Sequence, residues 1–546
     1  MTGKQGQTNY LNSIEITGGT LQVGDYGHVY GADDLYYTAG TVGTGGTNTS
    51  AIIGSVGITI GADGALAFGQ SAAESISNAL TFSAGTSAIS NINPNGAVTL
   101  SGTLTAASGF TKTGAGRVIL AQATTGSTLA GTVTLKEGWL ETTQAKLSNT
   151  SILFDGGGLY LIGDLEPAKI TSNGGTLDYN SSVTLNGLTN TDTTSTPTFV
   201  ITRSTDASNF QAGMNLGSLD GAGANLFASY TGTIQVDGNA IASLGSATDF
   251  SNTVFHLATN DTLSSGLHVA RPVVGRVWKL GDLTGEGLVC TSKNPTYANR
   301  GVTFEIGSLN NDSTFSGTFA NNRRDSDNEY NLNEIYVNKV GSGTWTFGPT
   351  ASADSVFNAD SIANITVKEG TLALARRSGA ASAKSLTVEA GTELQILSEG
   401  QEVTGALTMN ADSTLTFSLT GTEQGPMLSV DTLTFNDGAE MAFLLSDDFL
   451  ENIDNTTTLK LLDATTSNLT AETFASFISQ NPVLNHFFIP TVTGGEFPLA
   501  SELGGTAGAE HVDDTVAGFG ASVPTKHAGE GVNVGRHDFI RTASKG

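Results

Sequence analysis

The chain has 546 residues, of which 69 are Gly, 11 Pro and one Cys, and only 14% are charged, against roughly 25% in an ordinary soluble protein. Glycine without a Gly-X-Y period and with little proline excludes collagen, and 38% hydrophobic residues spread along a chain of this length supply enough apolar surface for a packed core rather than disorder. With 24 basic against 51 acidic residues the net charge is −27, which opposes nucleic acid and anionic lipid as partners, and Cys290 alone can form neither an intrachain disulfide nor a multi-thiolate zinc site.

From the N-terminus, residues 1–10 lack the apolar run of a signal peptide, and nowhere do ~18 uninterrupted apolar residues predict a transmembrane helix. One short phrase recurs instead: alternating apolar residues, a polar turn with Gly, then a second alternating pair. In residues 1–185 it reads IEITGGTLQVG (14–24), ITIGADGALAFG (58–69), VTLKEGWLET (133–142), ILFDGGGLYL (152–161) and ITSNGGTLDY (170–179). Residues 186–335 are less regular, and their polar stretches Asn190–Pro197 and Asn310–Asn331 are expected to project as loops from one face. The phrase returns in 336–445 as ITVKEGTLAL (365–374), LTVEAGTELQI (386–396), LTMNADSTLTF (407–417) and LTFNDGAEMAF (433–443), with first apolar residues at steps of 21, 21 and 26. Such steps predict one coil of a β-solenoid each, although two strands and a Gly turn also describe a hairpin, so β-sandwiches in series fit the local pattern as well. Residues 446–493 are expected to cap the stack with a strand at Thr458–Leu462 and a short helix at Ala471–Ile478. The remainder, 494–546, loses alternation, carries His511, His527 and His537, and reads as a poorly ordered tail.

Two longer stretches carry a family resemblance: FTKTGAGRVILAQATTGSTLAGTVTLKEGWLET (110–142), and VNKVGSGTWTFG (337–348) followed by ITVKEGTLAL. Both resemble the autotransporter passenger-associated β-strand repeat, on Lys112, Gly114 and Gly116 with Gly138 and Leu140 in one copy, and on Lys339, Gly341 and Gly343 with Gly370 and Leu372 in the other. FEIGSLNNDSTFSGTF (304–319) resembles the strand pair that often precedes such a copy, while Arg117, Trp139 and Trp345 depart from the usual pattern. The resemblance implies a right-handed parallel β-helix displayed outside a bacterial cell, and no one activity. Neither a leader nor a translocator of alternating strands is legible, so it reads as a released passenger, a stalk from a longer protein, or an incomplete gene product.

No HExxH, G-x-S-x-G or P-loop occurs, and the paired glycines at 114/116 and 341/343 lead into strands rather than a helix N-terminus, so no catalytic residue or cofactor is assigned. His28, His256 and His268 are read as surface or loop residues and Cys290 as a small inward apolar residue. Asp325, Asp327 and Glu329 alternate in one loop and offer three oxygens to a Ca²⁺ ion, but without the Gly and distal Glu of an EF-hand. Thr366, Thr387, Thr408 and Thr434 recur at one phase as an outward column. Tyr230, Phe315 and Tyr330 are the candidates for glycan stacking, although core or strand-edge packing is the role expected first of each. The expectation is an extracellular stalk, filament or adhesin, a rod on the order of 100 Å long, with glycans, surface proteins or copies of itself as partners. A polysaccharide lyase or glycoside hydrolase on the same solenoid is the alternative; it needs paired outward carboxylates, and the basic pair Arg376 and Arg377 has no Asp pair at matching phase in adjacent coils.

Overall fold

The computed structural model describes residues 13–23, 57–69, 74–121, 126–143, 147, 149–162, 169–180, 183–185, 187–191, 194–203, 213–217, 227–238, 240–245, 247–258, 266–291, 299–320, 333–348, 362–375, 383–454, 456–493 and 495–501. They are nearly all β, and the strands of each repeat pair in parallel with the equivalent strands of the repeats before and after. This decides between solenoid and hairpin. In ITVKEGTLAL the strands Ile362–Val367 and Thr371–Leu374 do not fold back on each other; they pair onward with Ser385–Val388 and Glu393–Ile396. The register runs Ile365 to Leu386 to Leu407 to Leu433, the same residues that set the spacing in the sequence.

The pairings form three series. First strands stack as Gly109–Thr113, Gly131–Leu135, Thr150–Phe154 and Lys169–Ser172, and again from Val302–Ile306 through Ile335–Lys339 and Ile362–Val367 to Pro426–Phe435. Second strands run from Glu74–Ile76 through Arg117–Leu120, Trp139–Thr143 and Gly158–Ile162 to Val277–Gly285, and continue by way of Ser313–Phe315 and Thr344–Phe347 to Glu440–Leu445. A third series, Val183–Leu185 to Thr318–Ala320, starts just before the stretch read as less regular and otherwise lies within it, so that stretch carries most of a parallel sheet of its own. The first two phrases differ from expectation: Ser13–Val23 and Gly57–Phe68 are continuous strands paired across a register shift between Ile16 and Gly18, so the turn has become a bulge.

Alternation explains the core. Odd and even side chains leave opposite faces of a strand, so parallel register stacks like on like. Val337, Ile365, Leu386, Leu407 and Leu433 form one buried column, and Trp345, Leu372, Leu394, Leu415 and Met441 another. Each fully buried Leu or Ile contributes about 1.5–3 kcal/mol of transfer free energy. The outward threonines 366, 387, 408 and 434 are likewise in direct register.

The parallel order ends at Thr458–Ser467, five residues longer than expected, which pairs in parallel with Pro426–Phe435 on one side and antiparallel with Glu496–Ser501 on the other. Glu496–Ser501 falls in the stretch assigned to the tail, yet Phe497 and Leu499 alternate inward and order it as a strand. The helix Ala471–Ser479 matches the expected one, N-capped by Thr470, whose hydroxyl accepts the Thr473 N–H. A second helix, Pro482–Phe487, was not expected; Asn481 caps it and Pro482 opens it. Phe477 packs on Phe435 at 5.6 Å and Phe474 on Phe497 at 5.3 Å, fixing the helices over the last strands. Among the described residues no helix is long and apolar enough to cross a membrane.

Candidate functional site

The clearest built sites are two, one in each copy of the resembling motif. Lys112 and Lys339 occupy inward positions, where alternation calls for an aliphatic residue: the columns run Leu66, Ile89, Lys112, Leu135, Phe154 and Leu280, Ile306, Lys339, Val367, Val388. Both are almost fully buried, at 0% and 1% exposure. Each ammonium donates to three backbone carbonyls, one proton apiece. Lys112 Nζ reaches the oxygens of Thr113 (2.8 Å), Gly114 (2.6 Å) and Glu137 (2.9 Å). Lys339 Nζ reaches those of Val340 (2.8 Å), Gly341 (2.7 Å) and Glu369 (3.0 Å).

The third carbonyl belongs to the next repeat, so each lysine ties two rungs together. The same glutamates close the tie from outside: Glu137 Oε2 accepts the Gly114 N–H at 3.1 Å and Glu369 Oε2 the Gly341 N–H at 2.9 Å. Gly114 and Gly341 both stand at φ 74°, and a Cβ on either would run into backbone of the preceding repeat, near Asn91 and Gly307. Burial lowers both lysine pKa values to about 8, against the opposing pull of Glu137 on Lys112 and of Asp282, Glu369 and Asp312 on Lys339. An ammonium with all three donors engaged offers no lone pair to a substrate at neutral pH. Its chemistry is cross-linking.

Glu137 and Glu369 were missed as site residues. The signal was present: Lys-Glu-Gly recurs at 136–138 and 368–370, with the glycine already singled out. Also unassigned was Asp282, buried on Val277–Gly285, which accepts the Ser313 hydroxyl at 2.6 Å and the Leu283 N–H at 2.8 Å; burial raises its pKa. The segment 304–319 supplies further ties to the second copy, Asn310 Oδ1 accepting the Ser342 N–H and Asp312 Oδ1 the Thr344 N–H, both at 2.8 Å. The departures from the motif fit their places as well. Trp345 is buried, donates its indole N–H to the Leu283 carbonyl at 3.1 Å and stacks on Phe347. Arg117 pairs with Glu141 at 2.9 Å.

The structure chooses among the roles open to the remaining candidates. His256 and His268 lie half-buried on strands rather than on loops, because their alternation phase turns them outward beside hydroxyls: His256 Nδ1 is 3.0 Å from Thr284 Oγ1 and His268 Nδ1 3.5 Å from Ser243 Oγ. Tyr230 and Phe315 are fully buried, and Tyr230 donates its hydroxyl to the Pro197 carbonyl at 3.0 Å, so neither can stack on a glycan. Cys290 is buried on Leu288–Thr291. His28, Asp325, Asp327, Glu329, Tyr330, Arg376, Arg377 and the histidines after 501 lie outside the described residues. No protein-family model matches the chain, and no curated protein sequence matches it.

Proposed function

We propose that the chain is a right-handed parallel β-helix of the autotransporter-passenger type, displayed at or released from a bacterial surface, where it serves as a stalk or adhesive filament and not as an enzyme. The observation that carries this reading is the pair of lysine ties. Two motif copies far apart in the chain build the same three-carbonyl cross-link at an inward position, and what such a device does is hold successive rungs in register. Parallel strands whose backbone groups pair on both sides resist local opening and proteolysis, as a stalk outside the cell requires. The net charge of −27 keeps such rods soluble and discourages lateral association. Partners on this reading are surface glycans or proteins.

Small-angle X-ray scattering on the purified chain tests the architecture: a rod on the order of 100 Å long is expected, and a compact or beaded profile overturns the stalk. Display is tested by fusing the chain to an outer-membrane translocator and probing intact cells with antibody; a chain that never reaches the surface overturns the passenger reading.

A further inference from the structure

The outer surface of the second-strand series between residues 117 and 178 differs from the threonine columns further along. Arg117 is in register with Trp139, and Trp139 with Gly158; in the neighbouring column Glu141 is in register with Tyr160, and Tyr160 with Asp178. Trp139 lies against Gly158 so closely that a Cβ on that glycine would come within 2.6 Å of indole Cε3, so the ring covers backbone where any side chain would lift it away. The Arg117 guanidinium stands 5.5 Å from the centre of the Tyr160 ring while bonded to Glu141. Trp139 and Tyr160 are both half-buried, and neither the indole N–H nor the phenol hydroxyl has a partner among the described residues. Other aromatic residues differ: Trp278, Trp345, Tyr179 and Tyr230 are buried, and Tyr336 donates its hydroxyl to Glu334 at 2.7 Å.

An outward indole with one face on the sheet leaves its other face for an apolar ligand surface, and the open donors beside it call for a ligand rimmed with hydroxyls. The ions choose the ligand's charge. Arg117 and Glu141 neutralise each other and Asp178, buried beside them, leaves a net −1, which disfavours sulfated or uronic sugars, and Arg117 already occupies the cation site over Tyr160. The three rungs from Arg117 to Tyr160 span about 10 Å, room for a short chain of sugar rings rather than one.

We propose that this strip, Arg117, Trp139, Glu141 and Tyr160 over Gly158 with Asp178 buried at its edge, binds a neutral oligosaccharide, with a pyranose ring stacked on Trp139 and its hydroxyls bonded to Tyr160, Arg117 and Glu141. It rests on the adhesive reading above and moves the contact from loops to the sheet face. The chain has three tryptophans, and Trp278 and Trp345 are buried, so acrylamide quenching of intrinsic fluorescence reports Trp139. The purified full chain is screened on an array of neutral and anionic glycans, then titrated with cellohexaose, xylohexaose, mannohexaose and maltohexaose under acrylamide. At least one neutral glycan is expected to bind and to protect Trp139 saturably. Trp139→Ala should weaken that binding at least about tenfold and Tyr160→Phe about threefold, the latter serving alone if the alanine variant fails to fold. Binding confined to anionic glycans, no binding, cleavage of the glycan, or full affinity in both variants overturns the proposal. Scattering from the same sample keeps the two readings apart: a rod that binds no neutral glycan removes only this strip, whereas a compact profile removes the stalk whatever the array shows.

Discussion

The two lysine ties share every bond and differ in their surroundings. Lys112 and the Glu137 carbonyl are 25 residues apart, Lys339 and that of Glu369 are 30, yet the three carbonyl distances agree within 0.1 Å from copy to copy. Loop length between rungs is therefore free, and the tie depends only on what register stacks above the lysine. The surroundings diverge: Lys339 has Asp282 and Asp312 within electrostatic reach besides its glutamate, whereas Lys112 has Glu137 alone. The second tie has three carboxylates around it, one of them buried, and the first has a single carboxylate beside it. Equal hydrogen bonding with unequal electrostatics is what experiments can pull apart.

The largest effect is expected from removing the cations. Lys112→Met should cost about 3 kcal/mol, since three partly buried carbonyls lose their donor, and Lys339→Met about 1–2 kcal/mol more because Asp282 then lies buried with its cation gone. Urea unfolding with hydrogen exchange at the neighbouring rungs measures both, and adding Asp282→Asn should recover part of the loss in the Lys339 variant; equal costs without recovery would mean that Asp282 does not couple to Lys339.

Alanine at Gly114 or Gly341 comes next, at about 2 kcal/mol or more, from positive φ combined with the clash against the preceding rung. Thermal melts of the two variants should fall together, because this part of the comparison is the same in both copies.

pH sharpens the electrostatic difference. Both lysines hold their proton more weakly when folded, with pKa values of about 8, than in the unfolded chain, where the ordinary lysine value is 10.5, so between those values the unfolded chain carries the extra proton and stability should rise with pH. The gain is about 1.4 kcal/mol per lysine by pH 9, with no change below about pH 7. It is read as the difference in urea stability between the native chain and the double Lys→Met variant, and a gap that stays flat from pH 7 to 9 would refute the lowered values.

Glu137→Gln and Glu369→Gln remove charge from an exposed bond to a glycine N–H and should cost at most about 1 kcal/mol each, seen as faster exchange of the Gly114 and Gly341 amides. Smallest is Thr408→Val in the outward column, expected within ±0.5 kcal/mol; a larger loss would give that column a role beyond strand propensity.

How much was legible varies with the kind of residue. The spacing of 365, 386, 407 and 433 was legible, and once the strands are parallel it is also their register, because spacing along the chain and stacking in space are then one quantity. Lys112 and Lys339 were legible as motif positions, but not as buried cations, since alternation alone places a lysine in an apolar column without saying which carbonyls will receive it. Glu137 and Glu369 were visible only as a repeated tripeptide. For Tyr230 and Phe315 the glycan role stayed open beside core packing because both lie outside the regular phrases, where phase is lost and burial cannot be counted from a neighbour.

The sequence by itself determined an all-β chain with its repeat period, the inward residues of each regular phrase, the helix after Thr470 and the absence of recognisable catalytic motifs, since all of these depend on side-chain period and local backbone preference. Only the tertiary structure decided that the strands pair in parallel rather than as hairpins, that two lysines cross-link rungs through carbonyls of the following repeat, and that Arg117, Trp139, Glu141 and Tyr160 share one outer strip beside the buried Asp178. Those facts concern residues about 20 to 60 positions apart, brought together by stacking, and a local pattern carries no record of its neighbours one rung away.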